Sequence, residues 1–358
     1  MRLARTLLCI LAVIFGGAAA RAATLYWDTN GAAAGAGGAT PSGTWDVGTT
    51  ANWSTSSAGT IATQVYSGKN QAVFAAGTDA TGSYTVTVNG SVEIAKAGVA
   101  LEEGNVTFSG GTLASGSGDW NQHYYWSVAA GGTLTVDSTI GNTGGGGSAR
   151  KEGPGTLIIN GTDDRQTQFQ VNGGTLLYNT VSHTNQSMIV NNAGTLGGTG
   201  TINKATTVNS GGKLATGQSI GTLTFGDSLN ISGALGGPAG SMLFELGASG
   251  DQVVLTGGNT LTIGSGLLEW DDFVFTDLGA TPGDYTLFDT GTAINGTLGT
   301  SLTGTVGSLE GTLSLGDGGN DLVLTLASGE VVPEPATLAV LGLGAFGLGG
   351  YVRRRRRA

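Results

Sequence analysis

Residues 153–179 read GPGTLIINGTDDRQTQFQVNGGTLLYN. Two copies of Gly-Thr-Leu, starting at Gly155 and Gly174, each open a run that alternates apolar with small polar side chains. Alternation with period two is the mark of a strand with one buried face. Further copies start at Gly111, Gly132 and Gly194, so the steps are 21, 23, 19 and 20 residues, and Gly212-Lys213-Leu214 follows 18 residues on. The surroundings repeat as well: VTFSGGTLAS, SVAAGGTLTV, FQVNGGTLLY and IVNNAGTLGG. Asn172-Gly173 and the segment from Asn209 to Gly212 supply residues that tolerate positive φ at turns. A repeat near 20 residues with two or three short strands is the size of one coil of a β-solenoid, whose coils stack at about 4.8 Å. One coil cannot bury its own apolar side, so several must stack. The spacing predicts about six coils between Val92 and Gly226, with Leu113, Leu134, Leu157, Leu176 and Leu196 pointing inward at equivalent positions.

Composition agrees. Of 358 residues, 67 are Gly, 6 are Pro, and 11% are charged. A glycine content this high opposes helix bundles. The missing G-x-y period excludes collagen, and the ordinary apolar content excludes a charged disordered chain. Net charge is −10, but eight of the fifteen cations lie at the two ends: Arg2, Arg5, Arg21 and Arg353 to Arg357. The stretch 24–332 keeps 7 cations against 24 acids, a net −17. Such a surface repels nucleic acid. The single cysteine, Cys9, lies near the start, so no disulfide is expected in the body. No cofactor and no metal site is expected.

Residues 1–23 read as a cleavable secretory signal. Arg2 and Arg5 precede the apolar run LLCILAVIF (7–15), and Ala20-Arg21-Ala22 offers a small-residue exit. At the other end, Val332-Pro333-Glu334-Pro335 is followed by ATLAVLGLGAFGLGGYV (336–352) and then by Arg353, Arg354, Arg355, Arg356 and Arg357. This order of motif, apolar span and basic end resembles the PEP-CTERM sorting signal of Gram-negative bacteria. The resemblance implies an exosortase-type enzyme as partner and transient inner-membrane insertion by a single span. Removal of the tail and delivery to the cell surface or extracellular matrix would follow.

The segment 153–179 also resembles the autotransporter-associated β-strand repeat. Gly153, Gly155, Thr156, Leu157, Ile159, Gly161, Val171, Gly174, Thr175 and Leu176 meet that pattern. The resemblance implies a right-handed β-helix passenger. The expected fold class is therefore all-β, a right-handed β-solenoid with β-rich caps. The expected organisation is a signal at 1–23, a Trp-containing N-terminal β cap at 24–91, and solenoid repeats at 92–227. A C-terminal β-rich segment at 228–331 and the sorting tail at 332–358 complete it. Trp27, Trp45 and Trp53 suit a cap over open strand edges.

Several stretches carry chemistry-bearing residues. Phe225-Gly226-Asp227-Ser228-Leu229 copies the nucleophile block of GDSL esterases, but the histidines, His123 and His183, both lie upstream and outside an Asp-x-x-His. A turn between strands is the expected reading. Gly316 to Leu324 nearly matches a calcium nonapeptide, in a single copy where stacked copies are needed. Glu269, Asp271 and Asp272 flank Trp270. Alternation turns the two aspartates to opposite faces, as on a solvated strand edge. Asp163-Asp164-Arg165 reads as a polar loop. Trp120, Tyr124, Tyr125 and Trp126, beside His123, form the densest aromatic patch, able to stack on a sugar or to pack inside the coils.

The function expected from these features is that of an exported, non-enzymatic structural or adhesive protein of the cell surface or exopolysaccharide matrix. A polysaccharide-degrading β-helix enzyme and a carbohydrate-binding module are the alternatives.

Overall fold

The structure, a computed structural model, describes residues 23–115, 123–141, 148–182, 187–217 and 219–329. It is all-β apart from two 3-10 turns among the described residues. The chain divides into two compact units, Met1–Arg150 and Lys151–Ala358.

In the first unit, three series of strands stack in parallel. Thr24–Trp27 pairs with Asn70–Phe74, which pairs with the second half of Ser91–Leu101, followed by Tyr124–Val128. Gly43–Trp45, Ser83–Val88, Asn105–Ser109 and Thr133–Val136 form the second series. The first half of Ser91–Leu101, Thr112–Ser115 and Thr139–Gly141 form the third. Inward positions form columns, such as Tyr84, Val106 and Leu134 in direct register. At the N-terminal end Trp53–Ser54 pairs antiparallel with Thr24–Trp27 and occupies its open edge. Beneath it lies an aromatic plug of Trp27, Trp45, Trp53, Tyr66, Phe74 and Phe108, all buried. Phe74 and Phe108 have ring centroids 4.9 Å apart, and Trp27 meets Trp53 edge-on at 5.3 Å.

The second unit repeats the plan. Thr156–Ile159, Gly174–Tyr178, Gly194–Gly198, Lys213–Thr216, Met242–Leu246 and Phe273–Asp277 pair in parallel, each with the next. Register partners run Leu157, Leu176, Leu196, Leu214, Met242 and Phe273, an unbroken inward column. The four leucines are fully buried. At one corner a second column is polar. Asn172 Nδ2 donates to Glu152 Oε1 at 2.7 Å, Asn191 to Asn172 at 2.7 Å, and Asn209 to Asn191 at 2.8 Å. These asparagines satisfy one another where the chain leaves a strand and turns.

Past residue 280 the pattern changes. Gly283–Asp289 pairs in parallel with Gln252–Leu255 on one side and antiparallel with Asp321–Ser328 on the other. Leu309–Gly316 and Thr303–Val306 extend that meander. The Trp270 ring lies against Gly304 and Gly311. A Cβ at these positions would fall 2.1 Å and 2.4 Å from ring atoms, so no other residue leaves room for the indole.

Leu113 is inward and buried, but not on the column of Leu134. It stacks between Val92 and Ile140, while Val106 is the partner of Leu134. Gly111 has φ +44 and turns the corner after Asn105–Ser109, whereas the copy at 132–134 enters the equivalent of that strand. The same tripeptide thus marks two different corners.

The segment 163–165 lies between strands, with Asp164 exposed, but Asp163 and Arg165 turn inward and are buried. Arg165 grips Asp163 in a fork, Nε to Oδ1 at 2.7 Å and Nη2 to Oδ2 at 2.7 Å, and Tyr178 Oη donates to Oδ2 at 2.9 Å. The guanidinium lies 4.7 Å from the centroid of the Phe169 ring. Burial opposes ionisation of Asp163, but the Arg165 charge and the bonds from Arg165 and Tyr178 outweigh it, holding the carboxyl below its usual range. Lys204 is buried near this pair, and Lys151 is buried with Nζ donating to Glu152 O, Gly153 O and Gly173 O. Burial lowers both lysines to about 8. A coil interior with turns at its corners offers carbonyls that such a cation satisfies.

Two outcomes follow. Leu157→Ala should cost about 2–5 kcal/mol in urea unfolding, and outward Thr156→Ala less than about 0.5. Equal costs would show that the column does not carry the stack. Between about pH 8 and 10.5 the folded lysines hold fewer protons than the unfolded ones, so their contribution to stability rises with pH. Tyr66, Tyr84 and Tyr178, raised mainly by burial, keep protons that the unfolded chain sheds above 10, so stability then declines. Melts from pH 7 to 11 should show this maximum. The rise should flatten in a Lys151→Met, Lys204→Met double variant.

Candidate functional site

The segment His123 to Trp126 alternates in and out. Tyr124 and Trp126 point into the coil, 4% and 1% exposed, while His123 and Tyr125 face outward and are half-buried. The aromatic patch therefore does not form one exposed platform: Tyr124 and Trp126 are packing residues, and Tyr125 is half-buried. Trp120 lies outside the described residues. One coil on, Ala149 points in and Arg150 points out. Arg150 Nη2 lies 2.9 Å from His123 Nε2, and its guanidinium carbon is 5.9 Å from the centroid of the Tyr125 ring. His123 Nδ1 is hydrogen-bonded to Ser148 Oγ. Burial, then the Arg150 charge, push the imidazole below its usual range. Nδ1–H accordingly donates to Ser148, and Nε2 accepts from Arg150. Arg150 did not stand out in the sequence reading. The same alternation, carried one coil on, would have found it.

Of the carboxylates at 269–272, Glu269 and Asp272 are bonded to backbone N–H groups, and Asp271 is exposed. They sit on a 3-10 turn, Trp270–Asp272, rather than on a strand edge. Asp272 Oδ2 accepts from Glu269 N at 2.8 Å, and Glu269 Oε1 accepts from Thr300 N at 3.0 Å and Ser301 N at 3.3 Å. The bonds from Thr300 and Ser301 hold the Glu269 carboxyl below its usual range, whereas burial raises Asp272. Asp271 is exposed and Asp272 buried, so the two face opposite ways. These groups splice a turn to the neighbouring loop and leave no free acid–base pair.

Ser228 is an exposed turn residue between Thr222–Phe225 and Leu229–Asn230, its N–H donating to Asp227 Oδ1 at 2.6 Å. His183 lies outside the described residues. Gly316 to Asn320 forms the turn between two antiparallel strands, with a 3-10 turn at Asp317–Gly319. Among the described residues no group of three or more His, Cys, Asp and Glu is placed to hold a metal. A shallow depression of about 380 Å³ is lined by Ser249, Gln252, Thr281, Pro282, Asp284 and Tyr285 among others. Asp284, its one carboxylate, accepts from Thr325 Oγ1 at 2.6 Å, and Tyr285 Oη donates to Gly247 O at 2.9 Å.

The outer face of the second strand series in the first unit is uniform. Ser83, Asn105 and Thr133 form one register row, Thr85, Thr107 and Thr135 another, and Thr44, Thr87 and Ser109 a third. None of these nine residues is charged. In the second unit Thr156, Thr175 and Thr195 continue the theme beside Ile158 and Leu177.

Pro333, Glu334, Pro335 and Arg353 to Arg357 lie outside the described residues. No helix among the described residues is long and apolar enough to cross a membrane. Residues 331–357 match the family model of the PEP-CTERM protein-sorting motif. Over 269 residues, 73% of its length, the chain is 30% identical to the adhesin BmaC autotransporter of Brucella suis biovar 1 (strain 1330). The chain spans about 7% of that protein's length. It is thus an all-β chain of parallel coils, similar to a short stretch of an autotransporter adhesin, that ends in a PEP-CTERM protein-sorting motif.

Proposed function

We propose that the protein is a non-enzymatic adhesive or structural component of the cell surface or exopolysaccharide matrix, exported and processed through its tail. The similarity to an adhesin across 73% of the chain, joined to a sorting motif, carries this reading. The geometry supports it. Parallel coils present long outer faces of threonine, serine and asparagine, suited to many weak contacts with a hydroxylated polymer. Among the candidate acids, Glu269 and Asp272 are tied to turn backbone and Asp163 to Arg165. Pro333-Glu334-Pro335 is the recognition motif for an exosortase-type enzyme, and 336–352 is the span that holds the chain transiently in the inner membrane. Arg353 to Arg357 keep its end in the cytoplasm.

Changing Arg353–Arg357 to glutamine should leave unprocessed protein in the inner membrane. Mass spectrometry of the exported wild-type chain should find no peptide ending at Ala358, and recovery of such peptides would refute tail processing. Cells lacking the gene should adhere less to a polysaccharide-coated surface. The exported protein should bind matrix polysaccharides without releasing reducing ends. Turnover that Asp271→Asn or Ser228→Ala abolishes would establish an enzyme instead.

A further inference from the structure

We propose that His123, Tyr125 and Arg150 form a binding site for a carboxylate-bearing sugar held in an otherwise neutral glycan. The proposal gives the adhesive reading above a specific ligand class. Its basis is a charge economy and a geometry. Among the cations of the body with described side chains, Lys151, Arg165 and Lys204 are buried, and Lys69 pairs with Glu93 at 3.6 Å. Arg150 and Lys213 are left to present charge outward. Of these two, Arg150 stands over an aromatic ring, 5.9 Å from the Tyr125 centroid. Among the described residues no carboxylate pairs with it.

The His123 ring fixes the guanidinium. Its Nε2 takes one N–H of Nη2, and its Nδ1 is tied to Ser148 Oγ, so the imidazole is itself held in orientation. A guanidinium carries five N–H donors in a planar fork. Nε is buried and one N–H of Nη2 is anchored, so Nη1 and the second N–H of Nη2 are the donors that would take both oxygens of a carboxylate end-on. Tyr125, half-buried beside the guanidinium, supplies apolar surface for the C–H side of the same pyranose. Tyr124 and Trp126, inward on the same strand, hold Tyr125 at a fixed height above the sheet. The net −17 of the body repels a polyanion. A single acidic sugar, terminal or sparsely placed, escapes most of that repulsion because screening confines it to about 10 Å.

The test uses the exported protein and three probes: a glucuronate-terminated oligosaccharide, its methyl ester, and the neutral glucose-terminated analogue. Calorimetry should show binding of the acid, with the ester weaker by about tenfold or more, as loss of a charged hydrogen-bond pair implies. Arg150→Gln should lower affinity for the acid by the same factor and leave the ester unchanged. Arg150→Lys should recover part of the loss, and full recovery would overturn the fork. Tyr125→Leu should weaken acid and ester alike. Each variant alters an outward side chain, so an unchanged melting temperature verifies the fold. Equal affinity for acid and ester, or an Arg150→Gln variant that binds the acid as well as wild type, would overturn the site. Neutral glycan binding untouched by Arg150→Gln would overturn the site while leaving adhesion standing. Unchanged adhesion of cells lacking the gene, with the purified protein still selecting the acid, would overturn adhesion while leaving the site.

Discussion

The stacking of like on like in the coil interior holds everything else in place. Leu157, Leu176, Leu196 and Leu214 are register partners in successive strands, so each leucine is covered by the one before and the one after. The backbone pairs in the same register, so hydrogen bonding and apolar burial reinforce one another residue by residue. With no cysteine after Cys9, no covalent cross-link shares that work. A parallel stack of this kind leaves its two outer coils half-covered, and both ends show how the chain responds. At the start, Trp53–Ser54 pairs antiparallel with the first strand over a plug of six aromatic rings. Near the finish, the chain abandons parallel pairing for a meander, with Trp270 seated against two glycines.

The inner surface is not purely apolar. Lys151, Lys204, Arg165 and Asp163 are buried, and each ion is answered locally: by carbonyls at a corner, or by a fork and a phenol. Such groups cost desolvation, and a well-packed apolar set would often be as stable. They do, however, permit very few arrangements. A solenoid can slip by one repeat with little loss of leucine contact, whereas Asp163, paired locally with Arg165, meets Tyr178 in one register alone. The outward cation is treated in the opposite way: Arg150 is tethered by a neutral histidine and left with unspent donors.

Periodicity made the leucine column of the second unit legible, because Gly-Thr-Leu recurs there at steps that match the coil length. It misled at Leu113, since glycine turns two kinds of corner and the tripeptide does not say which. The Trp-rich start read as a cover for open edges; Trp27, Trp45 and Trp53 lie buried together in one aromatic cluster. Asp163-Asp164-Arg165 looked like a loop because charge argues for solvent. The segment does lie between strands, but the burial of Asp163 and Arg165 depends on Tyr178, fifteen residues away and adjacent only after a coil has closed. The seat of Trp270 was illegible for the same reason, its two glycines lying more than thirty residues downstream. The sorting tail needed no fold to be read, since its order of motif, apolar span and arginines is a local pattern.

The corner column of Glu152, Asn172, Asn191 and Asn209 bears on how such proteins change over time. Asn172 and Asn191 each give an amide N–H to the coil before and receive one from the coil after, and Asn209 gives to Asn191, so the links are alike. A whole coil of 18–20 residues could be deleted or duplicated within this stretch without creating an unmatched group. Only Glu152, which accepts and cannot donate, has a fixed place. The number of coils within this stretch of the second unit is therefore a nearly free variable, open to change by unequal recombination.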